Sequence, residues 1–216
     1  MTINNIYIFN KKKKIFLKNK LKANYNNTKA YNVLENKNFL INKNNSHTFN
    51  QAAVLCLLQP DRKLNSYNLI LTLRSKKLKI HPGEVSFPGG KLEGSDKKSH
   101  IYCAFREAKE EININPLNCS YIGKLNKYLT SSGYIIQPII AISKKNQKFK
   151  TDKKEVTEIL LFPISYILSN TKIKKIYYTK NGEKRYYFSI EWNKFNIWGA
   201  TAKILIDLIN ILKSYD

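Results

Sequence analysis

The chain has 216 residues, enough for one domain with a substantial core, and its 43% hydrophobic and 12% aromatic content supports a globular fold. No run of eighteen apolar residues occurs, so no membrane span is expected. The three cysteines, Cys56, Cys103 and Cys119, are odd in number and form no CxxC pair, which argues against zinc or a disulfide framework and for a reducing compartment. The net charge of +23 leaves two readings open: attraction to polyanions, or the drift of a chain rich in Lys, Asn and Ile throughout.

Residues 1–46 differ from the rest. They are rich in Lys and Asn, and Glu35 is their first acid. Lys11 to Lys14 form a basic run beside the apolar Ile15, Phe16, Leu17 and Leu21. This N-terminal extension reads either as a mitochondrial-type targeting segment or as a disordered, loosely packed addition. A cytoplasmic location is the alternative to a mitochondrial one. The C-terminus lacks an SKL-type peroxisomal address.

Residues 47–216 read as one domain. Strands are predicted at 52–58, 67–73 and 84–87, with a turn at Pro60-Asp61 and Asn65-Ser66. A helix is predicted over 97–111. Residues 121–129 and 134–142 are predicted as a strand pair joined at Thr130-Ser131-Ser132-Gly133. Pro138 inside the second strand predicts an edge or a bulge. A strand at 155–161, a short helix at 164–168, and strands at 173–178 and 184–191 around Asn181-Gly182 follow. The last helix covers 197–212, with Ile204, Leu205, Leu208, Ile209 and Leu212 as its apolar stripe. Strands mixed with two substantial helices predict an α/β or α+β sandwich.

Residues 74–114 concentrate the chemistry. Phe87-Pro88-Gly89-Gly90 ends a strand in two glycines, which allow close backbone approach. Downstream, Glu107, Glu110 and Glu111 stand at i, i+3 and i+4, so their carboxylates share a helix face. Ala104, Phe105, Ala108 and Ile112 mark the core-facing stripe. Clustered carboxylates repel unless a cation joins them, and hard divalent ions prefer such oxygens. A solvated Glu/Lys face is the plain alternative.

Gly90, Asp96 and Arg106-Glu107-x-x-Glu110-Glu111 together resemble the Nudix box. Ile70-Leu71-Thr72-x-Arg74-Ser75, with Lys79, Gly83 and Phe87-Pro88-Gly89-Gly90, resembles the added signature of the coenzyme A diphosphatase branch. Further likeness lies in Thr130-x-Ser132-Gly133, Glu155-Val156-x-Glu158 and Ile197-Trp198-Gly199-x-Thr201-Ala202. Three departures stand out. Nine residues separate Asp96 from Arg106 in place of seven, with the extra residues expected in the loop 94–99. Asn113 replaces the late Gly, and Asn suits a left-handed helix end. Lys79 replaces an arginine and loses its bidentate fork.

The resemblance implies an α/β/α sandwich with a mixed sheet and an acidic helix, and hydrolysis of the pyrophosphate of coenzyme A or acyl-CoA with Mg²⁺ or Mn²⁺. Glu107, Glu110, Glu111 and the Gly90 carbonyl are the expected metal ligands. Arg106 is expected to hold a carboxylate in place, and Glu155 is the candidate base. Arg74, Ser75, Lys79, Gly83, Gly89 and Lys91 are the expected substrate-binding set. Glu93 and Asp96 read as loop or helix-start acids, His81 as structural or exposed, and Trp198 as core packing. Another nucleotide-derived substrate or an RNA cap is the rival within enzymes. A non-catalytic nucleic-acid-binding module is the rival outside them.

Overall fold

A computed structural model of the protein describes residues 11–26, 28–33, 37–41, 48–61, 66–168, 173–180 and 182–214. Residues 1–10, His47, Asn65, Asn181 and the last two residues, which carry parts of the readings above, lie outside the described residues.

The elements run α1 (Lys11–Asn24), β1 (Lys29–Asn32), β2 (Lys37–Leu40), β3 (Asn50–Asp61), β4 (Ser66–Arg74), β5 (Val85–Ser86), β6 (Gly89–Lys91), α2 (His100–Ile112), β7 (Cys119–Lys124), β8 (Lys127–Leu129), β9 (Tyr134–Ser143), β10 (Val156–Pro163), α3 (Ile164–Leu168), β11 (Ile173–Lys180), β12 (Glu183–Trp192), β13 (Phe195–Trp198) and α4 (Gly199–Lys213). Among the described residues ten strands form one sheet, ordered β10-β4-β3-β9-β8-β1-β2, with β5 on β4, β6 on β3 and β7 on β9. The β3–β9 and β1–β8 pairs are parallel and the others antiparallel. This is the mixed sheet expected of the fold. β11, β12 and β13 make a separate three-stranded sheet.

The period-two alternation of β3 sorts the core into two layers. Ala53, Leu55 and Leu57 pack with Ala104, Ala108 and Ile112 of α2. Cys56 and Leu58 pack on the other side with Leu205 and Leu208 of α4 and with Leu17 and Leu21 of α1. Leu17 and Leu21 are each 1% exposed, so this part of the predicted extension packs as an integral piece of the domain core. A Cβ on Gly123 of β7 would lie 2.9 Å from the Leu21 Cβ; the bare glycine lets α1 sit close.

Several boundaries move. The acidic helix begins at His100, not 97, because Lys97 and Lys98 adopt left-handed φ of 50° and 60°. These two residues absorb the longer spacing to Arg106. Asn113 caps α2 in the left-handed conformation (φ 55°, ψ 44°) and donates its N–H to Lys109 O, as its residue type predicted. Pro60 and Asp61 continue β3, paired with Tyr67 and Ser66. The strand predicted over 121–129 is two strands, β7 and β8, and β13 was not foreseen.

Pro138 lies inside the sheet, not at an edge. It pairs in register with Val54, and on its other side the Leu125 N–H donates to its carbonyl (3.2 Å). The return bond needs an N–H that proline lacks. The Gln137 Nε2 supplies it, donating to Leu125 O at 2.8 Å, at the break between β7 and β8.

Candidate active site

Ser99 caps the start of helix α2, its hydroxyl accepting from the Tyr102 N–H at 3.2 Å. Its inner stripe, Cys103, Ala104, Ala108 and Ile112, is fully buried. Burial pushes the Cys103 thiol up to about 12, which leaves it protonated and unsuited to nucleophilic work. The helix presents two parallel i, i+4 pairs, Arg106 with Glu110 and Glu107 with Glu111. They do different jobs.

Arg106 is the hub of the first. Its Nε and Nη2 donate to the two carboxylate oxygens of Asp96 at 2.8 and 3.0 Å, its Nη1 to Glu110 Oε2 at 3.0 Å, and its Nη2 stands 2.9 Å from Glu107 Oε1. The carboxylate it was expected to hold is thus three carboxylates. Asp96 is no exposed loop acid: it is 1% exposed and also accepts from the Glu93 N–H at 2.8 Å. Its bonds to Arg106 hold its carboxyl below the usual aspartate range, against the opposing effect of burial.

Glu107 and Glu111 turn inward. Glu111 is 2% exposed; its Oε2 accepts from the Gly89 N–H at 3.3 Å and its Oε1 lies 3.9 Å from Arg74 Nη1. Burial pushes its carboxyl up to about 8. Glu107 is raised as well, by burial first, with Glu110 and Glu155 adding repulsion. Glu110 does not share this setting: its side chain is 59% exposed and leans on Arg106. The three glutamates therefore do not form one uniform face. The paired glycines allow close approach to protein rather than to open space. A Cβ on Gly90 would lie 2.4 Å from the Glu107 carboxyl carbon, and one on Gly89 would lie 2.3 Å from the Ala53 carbonyl oxygen. The Gly90 carbonyl accepts from the Cys103 thiol at 3.6 Å.

Glu107, Glu111 and Glu155 line one open cleft of about 610 Å³, together with Arg74, Gly89, Gly90 and Lys91. Glu155 is fixed through its backbone, its carbonyl accepting from the Ser75 N–H at 2.8 Å. Ser75, Lys79 and Gly83 do not line the cleft. The Ser75 hydroxyl, on a buried residue, accepts from the Lys77 N–H at 3.3 Å, and Gly83 takes a φ of +72° in the loop that follows. These residues shape the turn between Arg74 and the glycines. His81 does face the cleft, with Nδ1 3.0 Å from Glu84 Oε2. His100 lies at the start of α2 and away from the cleft lining.

Sequence reasoning missed one whole wall. Tyr178, Tyr187 and Trp198 line the same cleft. Trp198, expected in the core, is 41% exposed. The adjacent aromatics Tyr177-Tyr178 and Tyr186-Tyr187-Phe188 were the available signal.

Among the described residues no group of three or more His, Cys, Asp or Glu side chains stands so placed that it could hold a metal ion. The donor chemistry nevertheless fits a hard divalent cation. Four carboxylates, Glu84, Glu107, Glu111 and Glu155, line one cleft, burial and mutual repulsion raise Glu107 and Glu111, and a cation among them would relieve both effects. No helix among the described residues is long and apolar enough to cross a membrane.

The NUDIX domain family model matches residues 48–178. A protein described as uncharacterized Nudix hydrolase NudL, from Photorhabdus laumondii subsp. laumondii, is 31% identical over 168 residues, covering 78% of this chain and 86% of that one. A NudL protein of Yersinia pestis (strain Pestoides F) is 37% identical over 138 residues, covering 63% and 68%. The crystal structure of a NUDIX hydrolase from Alicyclobacillus acidocaldarius matches with a TM-score of 0.50 at 14% identity, over 75% of this chain and 91% of that one; this is a likeness of fold.

Proposed function

The chain belongs to the Nudix hydrolase family, and on that premise we propose that it hydrolyses the pyrophosphate bond of coenzyme A or its acyl derivatives, giving 3′,5′-ADP and 4′-phosphopantetheine or its acylated form. The observation that carries this reading is the meeting of Arg74 with Glu111, 3.9 Å apart. Arg74 belongs to the stretch that resembles the coenzyme A branch signature, and Glu111 to the acidic helix. One residue of each stretch thus faces the same cleft, Arg74 and Glu111.

In this reading Glu107 and Glu111 would hold the cation, with Glu110 and the Gly90 carbonyl as the remaining donors of the motif. A bound divalent ion supplies charge neutralisation of the phosphates and a more acidic water. Arg106 positions Glu107 and Glu110 through its own bonds. Arg74 and Lys91 bind phosphate oxygens. Glu155 takes a proton from the attacking water at its carboxylate. The water oxygen bonds to one phosphorus, and the bond from that phosphorus to the bridging oxygen breaks.

Mass-spectrometric product analysis with coenzyme A and an acyl-CoA, with Mg²⁺ or Mn²⁺, tests the reading beside a Glu110→Gln/Glu111→Gln control. Metal-dependent formation of 3′,5′-ADP and 4′-phosphopantetheine, absent in the control, is the expected result. Cleavage of a nucleotide panel or of capped RNA with coenzyme A left intact would overturn the substrate. A folded protein that cleaves nothing, yet binds nucleic acid with steep salt dependence, would overturn the reaction.

A further inference from the structure

The pyrophosphate chemistry leaves the aromatic wall of the cleft without a role. In the sheet of β11, β12 and β13, Tyr178 stands opposite Arg185, Ile176 opposite Tyr187, and Ser189 opposite Trp198. Opposed residues share a face of an antiparallel sheet, so Tyr178, Tyr187 and Trp198 lie on one side. Ile190 and Ile197, on the other side, are fully buried. The rings are in contact, Tyr178 with Tyr187 at 6.0 Å between centroids and 48° between planes, and Tyr187 with Trp198 at 5.5 Å and 60°. The sheet thus anchors its back in the core and offers its front to the cleft. Packing accounts for a buried aromatic cluster, but not for an indole 41% exposed in the same cleft as Glu107 and Glu111. An apolar surface left open beside convergent polar groups is the mark of a binding site.

We propose that this ring face is the subsite for the heteroaromatic base of the substrate, with Trp198 as the stacking platform; the proposal rests on the pyrophosphohydrolase reading above. The chemistry of the rings favours a base over an alkyl arm. Tyr hydroxyls and the indole N–H sit at the ring edges, where they hydrogen-bond the polar rim of a base and would be stripped of water by an alkyl chain. Aliphatic surface suited to a chain comes from other elements of the same cleft, through Val54, Ile136 and Ile204. A nucleotide joined through its pyrophosphate to a flexible arm matches both surfaces.

The test reads Trp198 directly. Trp192, which packs on Phe162 and Phe195 and does not line the cleft, is replaced in a Trp192→Phe variant, leaving Trp198 as the sole tryptophan, whose emission is excited selectively beyond the tyrosine absorption band. Titration with 3′,5′-ADP is expected to change its emission saturably, while 4′-phosphopantetheine and inorganic phosphate do not. In the native background, Trp198→Ala is expected to raise KM for coenzyme A by about tenfold or more, as loss of one stacking partner does, with kcat within a few-fold and most affinity retained by Trp198→Phe. An emission change with 4′-phosphopantetheine but not 3′,5′-ADP, or an unaltered KM in Trp198→Ala, would overturn the subsite. Coenzyme A left uncleaved while 3′,5′-ADP still reports on Trp198 would sink the substrate assignment and leave the base subsite standing.

Discussion

The guanidinium of Arg106 grips the carboxylate of Asp96 through two parallel hydrogen bonds, at 2.8 and 3.0 Å. Asp96 closes a single 3₁₀ turn, Gly94–Asp96, and Arg106 lies on α2. The pair ties the loop after β6 to the helix that carries Glu107 and Glu111. With side-chain exposures of 16% and 0% it is not a surface ion pair, and the two-bond fork fixes direction as well as distance.

Removing Arg106 leaves Asp96 buried without its cation. Breaking such a pair typically costs about 3–5 kcal/mol, so Arg106→Ala is expected to lose stability in that range by urea denaturation. Arg106→Lys recovers only part, because an ammonium cannot reproduce the fork. A loss of under about 1 kcal/mol, the range of exposed pairs, would contradict this account.

The two glycines predict opposite phenotypes. At Gly90 the obstacle is the end of the Glu107 side chain, 2.4 Å from an added Cβ. That carboxylate can swing away, so Gly90→Ala keeps the fold and displaces a functional group, with a rate loss of about 100-fold, the scale of a 1 Å misplacement. At Gly89 the obstacles are backbone, Ala53 O at 2.3 Å and Val54 Cα at 2.6 Å. Gly89→Ala is expected to lower the melting temperature first. Thermal unfolding beside kcat for both variants separates the cases, and matching stability losses would refute the distinction.

Glu111 makes the metal-free protein pH-sensitive. Burial raises its carboxyl from the ordinary 4.5 to about 8. Between those values the folded chain keeps a proton that the unfolded chain releases, so stability falls as pH rises from about 4.5 to about 8. Urea denaturation in EDTA across that window is expected to show the decline in the native protein and a flatter profile in Glu111→Gln. Adding Mn²⁺ at pH 8 should restore the native protein and not the variant. Identical profiles would remove Glu111 from this role.

If Glu155 takes the proton of the attacking water, Glu155→Gln lowers kcat by about 10²–10⁴-fold and leaves KM nearly unchanged. A variant that loses KM alone would make Glu155 a substrate contact instead.

Helix α1 is part of the core. Leu21 is 1% exposed and packs over Gly123, so Leu21→Ala is expected to cost about 2–5 kcal/mol, as for other buried leucines. Equal denaturation midpoints for native and variant protein would show that α1 packs independently of the domain.

Much of this molecule was legible along the chain. The spacing of Glu107, Glu110 and Glu111 and the left-handed stop at Asn113 are local features, and each stands where its residue types predicted, whereas Gly89 and Gly90 form strand β6 on β3 rather than a turn. Strands β3, β4, β9, β10, β11 and β12 follow from apolar runs and turn residues that act over a few positions. The mixed sandwich is their sum.

Tertiary structure decided the rest, because the deciding contacts join distant segments. Helical spacing places three glutamates on one side of α2, but only packing against β3 and β6 buries Glu111 and leaves Glu110 59% exposed beside Arg106. No local rule pairs Arg106 with Asp96, since two left-handed residues, Lys97 and Lys98, intervene. The aromatic wall exists because strand register puts Tyr178, Tyr187 and Trp198 on one face. Pro138 is tolerated inside the sheet because a glutamine side chain replaces its missing donor. Periodicity sets which side of an element a residue occupies; what that side meets depends on burial and register across the whole chain.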